Sequence, residues 1–402
     1  MTSPHPWFHR LAWLAVLLGL VVIVFGAFVR LSNAGLSCPD WPTCYGQAAW
    51  PQSAEEVADH AASAIRPVES EKTWREQFHR HLAATLGLLV LALAVLATRA
   101  RRNGLATVFG ACALVAISIA LYMRQLYTPA AVLAGVGEAI LLSAAWRWSN
   151  IDYARIATLT LAMIIFQAML GLWTVTWLLK PVVVMAHLLG GMATVSLLAW
   201  MACRATPNAV LSVPAATHAR LRLMVIMGMV LVAIQIALGG WVSANYAALA
   251  CGTDFPTCLD QWWPQTDFKE AFVLWRGIGV DYEGGVLDGA ARSAIHLTHR
   301  LFALVVAGHL IALALRLYRS PGVSIWGAVL AVLLVLQILL GISIVVVGVP
   351  LMIATLHNAG AALLLLLLVS LLARLRVATP MDGGSGDRRK ERLRLTDMMQ
   401  KP

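Results

Sequence analysis

The sequence predicts an all-α polytopic membrane protein, with two pseudo-repeated four-helix bundles, an inserted helix pair, about ten transmembrane helices and both termini cytoplasmic. Three observations predict this class. Of the 402 residues, 60% are hydrophobic and only 12% are charged, and the mean hydropathy is +0.76. Apolar runs of about 20 residues, the length that crosses the hydrocarbon of a bilayer, recur along the chain. Motifs of the first half return in the second half at matched spacing.

Ten apolar runs are long and continuous enough to be helices rather than strands of a barrel. Arginines collect at one end of these runs, for example after the second and fourth, and basic residues stay on the cytoplasmic side. An even number of spans then places both termini there. The runs lie near residues 11–30, 78–98, 105–123, 129–146, 156–179, 182–203, 222–243, 294–315, 323–348 and 351–373.

Several intervals are identical in the two halves: 12 residues from a glycine to a cysteine, and 20 from a glutamine to a histidine. The first half is longer, because 88 residues separate His79 from Gln167, against 38 between the corresponding residues of the second half. The surplus of 50 residues has the length of two spans. The matched intervals run from Gly26 to Cys38, Gly239 to Cys251, Gln167 to His187 and Gln337 to His357.

This comparison divides the chain into four parts. Residues 1–104 with 150–204 form an N-terminal four-helix half, residues 105–149 an inserted helix pair, and residues 205–376 a C-terminal half. Residues 377–402 are glycine-rich and then strongly basic, which is typical of a solvated cytoplasmic tail without a fold of its own. The net charge of +10 follows from this topology and favours anionic lipid rather than nucleic acid as a partner.

Two long loops, about 31–77 and 244–292, lie on the face opposite the arginines and hold four of the six cysteines. That face is the oxidising one in a bacterium. Cys38 with Cys44, and Cys251 with Cys258, are close enough in sequence to pair as short-loop disulfides. Two interpretations are open: both disulfides stabilise their loops, or at least one cysteine pair is redox-active.

Four histidines occupy matched positions in apolar helices: His79, His187, His299 and His357. The predicted topology places all four in the outer half of the membrane. Within each half, two histidines from different helices can ligate one iron from both sides, whereas zinc would require further protein ligands. Hydrogen bonding between helices is the alternative role for a lone membrane histidine. The repetition of the set favours two haem sites.

Three arginines lie near these histidines at the outer ends of helices. Arg80 and Arg300 each follow the first histidine of a half, where a guanidinium can pair with a haem propionate. Snorkelling to the membrane surface is the alternative. Arg30 is the last residue of the first span, and the matched residue of the second half is the uncharged Ser243. We therefore expect Arg30 to bind the haem of the first half and to serve that half alone.

Glu76 lies one helical turn before His79, and the matched position in the second half is His296. Two roles are weighed equally. Thr73-x-x-Glu76 has the pattern of a capping box, with Ser293 as the matched cap in the second half. Alternatively, a carboxylate beside a bound haem can act as a base or stabilise a cationic intermediate. The second half has a matched cap residue without the glutamate, and both roles of Glu76 stay open at this point.

Taken together, several motifs resemble the haem A synthase family, over nearly the whole chain except the inserted pair and the tail. They are Arg30-Leu31-Ser32-x-x-Gly35-Leu36-Ser37-Cys38 with Trp41-Pro42, Glu76-x-x-His79-Arg80, Gln167-x-x-Leu170-Gly171, His187, His299-Arg300 and His357. The resemblance implies an enzyme of cytochrome oxidase maturation in the bacterial inner membrane, with its haem sites towards the periplasm. It would oxidise the C8 methyl group of haem O to a formyl group, giving haem A.

The resemblance also implies a role for each half. His79 and His187 would hold the substrate haem O, His299 and His357 a permanent haem b, and Glu76 would be the catalytic carboxylate. Haem O synthase and assembly factors of cytochrome oxidase are expected partners, and a homo-oligomer is left open. Two other functions are weighed: a di-haem electron-transfer cytochrome b, whose haems would lie in series across the bilayer, and a haem carrier, which would not need Glu76.

Overall fold

The computed structural model describes residues 7–149, 153–207 and 209–377. These residues form eleven α-helices and two three-residue strands. The strands are β1 (Leu211–Val213) and β2 (Leu375–Val377). The helices are α1 (Phe8–Leu31), α2 (Ser70–Thr98), α3 (Gly104–Met123), α4 (Tyr127–Arg147), α5 (Ala154–Thr176), α6 (Pro181–Ala205), α7 (Ala215–Ala244), α8 (Phe268–Ala271), α9 (Gly289–Tyr318), α10 (Ser324–Val346) and α11 (Leu351–Arg374).

Ten of these helices, all except the short α8, are long and apolar enough to cross a membrane, so the predicted spans are confirmed within the described residues. Three of them begin at least five residues before the apolar run does: α2 at Ser70, α7 at Ala215 and α9 at Gly289. Asp288 caps α9 by accepting the N–H of Ala291 at 2.8 Å. These polar first turns extend the helices beyond the hydrocarbon, which is why hydropathy did not reveal them.

The helix contacts close into two rings. In the first half, α1 packs on α2 and α6, and α5 completes the ring by packing on α2 and α6. The second half repeats this pattern with α7, α9, α10 and α11. The rings meet through their first and last helices, because α1 packs on α11, α6 packs on α7, and α6 packs on α11. The inner helices therefore join the halves, while α2, α5, α9 and α10 lie further out.

The inserted pair, α3 and α4, lies outside the first ring. These helices pack on each other, and they contact α2 through α3 and α5 through α4. Gly137 of α4 makes the close approach possible, because a Cβ there would come 3.0 Å from the carbonyl oxygen of Ala111 in α3. The ring of the first half is complete without the pair.

The loops that follow α1, α5 and α7 lie together on one face, here called the loop face. The backbone N–H of Tyr282 donates to the carbonyl of Leu178 at 3.2 Å. Arg66 pairs with Glu283 at 2.6 Å, and this ion pair raises the pKa of Arg66 against the opposing effect of burial. These bonds join the long loop after α7 to two loops of the first half, the long loop after α1 and the short one after α5.

On the opposite face, β1 and β2 pair in parallel and join the ends of α6 and α11. The sequence did not predict this strand pair, because three residues are too few for an alternating pattern. Of the predicted tail, only Val377 is described, as the last residue of β2. Residues 378–402 lie outside the described residues, and the sidedness of the termini stays a prediction.

Candidate functional site

The four predicted histidines pack against glycines of neighbouring helices. A Cβ added to any of these glycines would come 2.8–3.3 Å from the imidazole Cε1, which is closer than ordinary van der Waals contact. A larger residue would therefore push the ring away. The pairs are Gly26 with His79, Gly171 with His187, Gly239 with His299 and Gly341 with His357.

The histidines lie in pairs, one pair in each ring. His79 and His187 are close enough to interact electrostatically, and so are His299 and His357. Each histidine lies within the first three turns of a helix that starts at the loop face, on the order of 10–15 Å deep at 1.5 Å per residue. The two pairs have similar depth, so they are not stacked in series across the membrane.

The donor set suits a haem better than a bare metal ion. The Nδ1 atoms of His79, His187 and His357 are buried without a hydrogen-bond partner. Across residues 7–149, 153–207 and 209–377, no group of three or more His, Cys, Asp or Glu side chains could hold a metal ion. A haem brings its own equatorial nitrogens and needs only axial ligands, which a histidine pair can supply.

Glutamines accompany three of the four histidines. Gln167 donates to the carbonyl oxygen of His187 at 2.5 Å, and the Nε2 of Gln337 lies 3.3 Å from the Nε2 of His357. The sequence analysis missed Gln235, whose Nε2 lies 3.2 Å from the Nδ1 of His299. Gln235 lies one helical turn before Gly239, the glycine that packs against His299. This spacing could have identified Gln235 from the sequence. The matched residue of the first half is Val22.

Glu76 is 4% exposed and lies in a cluster of donors. Its Oε2 accepts from the hydroxyl of Ser37 at 3.0 Å and from the backbone N–H of Cys38 at 2.8 Å. Its Oε1 accepts from Arg80 at 2.6 Å. These contacts hold the carboxylate in one position and link α2 to the disulfide loop.

The capping-box hypothesis for Glu76 is wrong. Helix α2 begins at Ser70, so Thr73 lies within the helix, and its hydroxyl donates to the carbonyl of Ser70. Ser293 is not a cap either, because α9 begins at Gly289. The first turns of α2 and α9 are polar, so hydropathy placed the helix starts too late. The capping-box pattern therefore lies about one turn inside the helix.

His296, the counterpart of Glu76, is also buried but has the opposite hydrogen-bonding role. Its Nδ1 lies 2.9 Å from the carbonyl oxygen of Ala247, to which it donates. Glu76 accepts bonds from its loop, whereas His296 donates one to its loop. The second half therefore has no carboxylate at the position next to its first histidine.

Both predicted disulfides, Cys38–Cys44 and Cys251–Cys258, are present. In the first half, Arg80 donates to the carbonyls of Cys38, Asp40 and Thr43 at 2.7–3.0 Å.

In the second half, Arg300 donates to the carbonyls of Asp254 and Thr257, each at 2.9 Å. Arg80 and Arg300 thus hold the disulfide loops against the helices, a role that the sequence analysis did not predict. A contact with haem propionates stays a prediction for these two arginines.

The expectation that Arg30 serves the first half alone is wrong, whereas a contact of Arg30 with haem stays a prediction. Arg30 donates to the carbonyl of Ser243 at 2.8 Å and to the hydroxyl of Tyr246 at 2.9 Å. Its guanidinium also lies 4.4 Å from the centre of the Tyr246 ring. Arg30 therefore joins the halves at the loop face, and its main-chain acceptor is the residue that matches it in the repeat.

Lys180 is a second residue that the sequence analysis missed. It precedes Pro181 at the start of α6, is 1% exposed, and has no hydrogen-bond partner for its Nζ among the described residues. The Nζ lies 3.3 Å from the centre of the Trp275 ring. Burial lowers the pKa of Lys180. The lysine belongs to the first half only, because the matched residue is Pro350.

Comparison with known proteins gives consistent results. The chain is 38% identical to a protein named Heme A synthase from Shewanella oneidensis, over 90% of this chain and 96% of that protein. It is 25% identical to proteins of the same name from Rhizorhabdus wittichii and Sphingopyxis alaskensis. These alignments cover 90% and 93% of the chain, respectively, and 93% of each relative.

A protein-family model, COX15-CtaA, described as cytochrome oxidase assembly protein, matches residues 9–121 and 130–369. The unmatched residues between these ranges lie around the turn from α3 to α4, so the match includes most of the inserted pair. The sequence analysis had placed that pair outside the resemblance. Because the match covers most of the chain, the protein belongs to the COX15-CtaA family of cytochrome oxidase assembly proteins.

Proposed function

We propose that the protein is a haem A synthase, which oxidises the C8 methyl group of haem O to the formyl group of haem A. The observation that carries this proposal is the asymmetry between two matched sites. Each half has a histidine pair packed on glycines, but only the first half has a carboxylate next to its first histidine. The names of the relatives support the same activity.

In this proposal the first half binds the substrate. His79 and His187 would hold the iron of haem O, and Gly26 and Gly171 set the positions of the two imidazole rings. The methyl group is oxidised in two steps, first to an alcohol and then to a hydrated aldehyde, which loses water to give the formyl group. Each step adds one oxygen atom to the methyl carbon and transfers two electrons to an external oxidant. Ligation through the iron holds the porphyrin in the site while its edge reacts.

We assign the catalytic role to Glu76. Its Oε2 already accepts two hydrogen bonds, whereas its Oε1 accepts one, from Arg80. A carboxylate oxygen can accept two bonds, so Oε1 keeps a free lone pair. That atom can take a proton from the alcohol or the hydrated aldehyde, or stabilise positive charge that develops on the substrate. The fixed donors keep Glu76 in place during the reaction.

The second half holds the cofactor, haem b, between His299 and His357. When bound, haem b supplies one-electron redox chemistry. Gln235 and Gln337 lie within hydrogen-bond distance of these imidazoles and set their orientation. We place the protein in the bacterial inner membrane with the loop face in the periplasm, because arginines collect at the opposite helix ends. Haem O synthase and oxidase assembly factors are the proposed partners.

Co-expression with a haem O synthase, in a host that lacks haem A, tests the activity. Haem is extracted and separated by chromatography, and the wild-type protein is expected to yield haem A. Glu76→Gln is expected to lower the yield at least a hundredfold while the haem O content of the purified protein is retained, since general acid–base catalysis contributes roughly 10²–10⁴-fold. Absence of formyl and hydroxylated haem with the wild-type protein would contradict the proposal.

Ser37→Ala is the matched control for Glu76→Gln, because it loosens the same hydrogen-bond network and keeps the carboxylate. Its haem A yield is expected to stay within about tenfold of the wild type, the effect of one hydrogen bond of about 1 kcal/mol. If Ser37→Ala lost as much activity as Glu76→Gln, support of the loop would be the role of Glu76. The catalytic assignment would then fail.

A further inference from the structure

A basic cavity lies where the two halves meet on the face opposite the loops. Its volume is about 290 Å³. Helix α6 ends on one side and α11 on the other, and the β1–β2 pair connects these ends. Three arginines line the cavity: Arg204 at the end of α6, Arg374 at the end of α11, and Arg376 in β2. Both halves therefore contribute charge to it.

No carboxylate lines this cavity, and none pairs with its three arginines among the described residues. The Nε of Arg374 is buried without a partner, and the Nη1 of Arg376 donates only to the carbonyl of the adjacent Leu375. Two arginines of the loop face, Arg66 and Arg80, differ, since each lies 2.6 Å from a glutamate oxygen. The guanidiniums of the cavity thus have unused donors.

Compensation of the helix dipoles does not account for three arginines. The C-terminal ends of α6 and α11 carry about half a negative charge each. Three guanidinium charges exceed this by about two positive charges. Arg376 moreover lies beyond the end of α11, in β2. The cavity therefore has a surplus of positive charge and of N–H donors.

The cavity lies at the level of a membrane surface. It is at the ends of two spanning helices, and the guanidinium of Arg374 lies 5.9 Å from the ring centre of Trp13 and 5.6 Å from that of Trp326. Tryptophans concentrate at the boundary between hydrocarbon and headgroups. Trp13 also donates to the hydroxyl of Thr206 on the cavity wall, at 2.9 Å. Lipid phosphates lie at this depth.

We propose that this cavity binds the phosphate group of an anionic phospholipid. Arginines bind phosphate oxygens through paired N–H groups, and basic pockets between transmembrane helices accept anionic headgroups. A volume of about 290 Å³ is at the lower end for ligand pockets, so it accommodates a headgroup rather than a whole lipid. Because arginines of both halves line the cavity, the bound lipid joins the halves on this face.

Native mass spectrometry of the full-length protein, titrated with phosphatidylglycerol or phosphatidylcholine, tests the proposal. The wild-type protein is expected to bind phosphatidylglycerol selectively. In Arg204→Gln/Arg376→Gln the affinity for phosphatidylglycerol is expected to fall roughly thirtyfold, since each basic residue near a membrane contributes about a factor of five. The control Arg220→Gln/Arg319→Gln removes the same charge from exposed residues, and its affinity is expected to stay within about twofold of the wild type.

A second variant, Ala209→Trp, keeps every arginine but fills the cavity, and it is expected to lose phosphatidylglycerol to the same degree. Ala209→Trp decides the outcome if the double arginine variant does not fold. Equal losses in the cavity and control variants, or no loss in either, would overturn the proposal. If millimolar inorganic phosphate bound to the cavity and displaced the lipid, a soluble phosphate would be the ligand and the lipid assignment would fail.

Discussion

At the scale of single residues, each of the four repeat-matched histidines packs against a glycine of a neighbouring helix. The glycine allows the imidazole to pack against the helix backbone, where any Cβ would displace it. The cost of a glycine within a helix, about 0.5–1 kcal/mol relative to alanine, is accepted at these positions. Two of the four glycines, Gly26 and Gly239, entered the sequence comparison only as markers of the repeat.

Gly26→Ala is expected to displace His79, because the new Cβ would lie 2.8 Å from its ring. The purified protein should then lose haem from the first site and keep the spectrum of the second. Gly87→Ala is the matched control in the same helix as His79, since open space surrounds that glycine. Optical spectra of both variants measure the difference, and equal haem contents would refute the packing argument.

At the scale of elements, each disulfide loop depends on an arginine from the helix beneath it. Arg80 and Arg300 bind loop carbonyls, and a hydrogen bond from a charged group contributes about 1.5–3 kcal/mol. The two loops have no sequence pattern of helix or strand. Their conformation follows from contacts with distant residues, which explains why the sequence did not predict it.

Arg80→Gln is expected to loosen the loop around Cys38–Cys44 and to leave the loop around Cys251–Cys258 unchanged. Amide hydrogen exchange in the first loop should become at least tenfold faster, from the loss of one or more charged hydrogen bonds. Arg300→Gln should produce the reverse pattern, so each variant is the control of the other. Equal exchange in both loops of each variant would count against this role.

The inserted helices are separable from the haem sites, because α2 and α5 contact each other directly. Deletion of residues 105–149 is expected to leave the haem content of both sites within about 20% of the wild type. Helix faces uncovered in this way contact lipid, which is as apolar as the removed helices. Haem per protein measures the outcome, with the second site as the internal reference. Loss of haem from the first site alone would contradict the prediction.

All ten spanning helices of the described residues could be predicted from sequence, because length and hydropathy decide which segments cross a bilayer. The histidine pairs could also be predicted, since the repeat identifies which histidines match. Helix starts such as Ser70 could not, because polar first turns carry no hydropathy signal. The loop partners of Glu76 and the partners of Arg30 could not be predicted either, since they lie far away in the sequence, on a loop or in the other half.

At the scale of the whole molecule, the two rings are held together by their inner helices and, on the loop face, by Arg30. Within the membrane, packing of helix against helix competes with equally apolar lipid. Polar contacts between the two halves therefore specify how the halves pack together, which hydrophobic burial does not do within the membrane. Arg30 combines two hydrogen bonds with stacking on Tyr246.

Arg30→Gln is expected to destabilise the contact between the halves by about 3–6 kcal/mol, mainly from the loss of two hydrogen bonds of a charged group at about 1.5–3 kcal/mol each, with a smaller cation–π contribution. The midpoint of thermal unfolding in detergent should fall by several degrees. Tyr246→Phe removes only the hydroxyl acceptor and should lower the midpoint by less than half as much. A midpoint for Arg30→Gln equal to that of the wild type would show that the contact between the halves does not depend on this residue.

Arg30 and Ser243 occupy the same position of the repeat, yet they contact each other. A position that meets its own counterpart lies near the pseudo-twofold axis. In a dimer of two identical chains, such a position would place the same residue on both sides, and two arginines would repel each other. A single chain carrying both copies escapes that constraint. Covalent fusion thus permits an unequal contact at the axis, and likewise two unequal haem sites on either side of it.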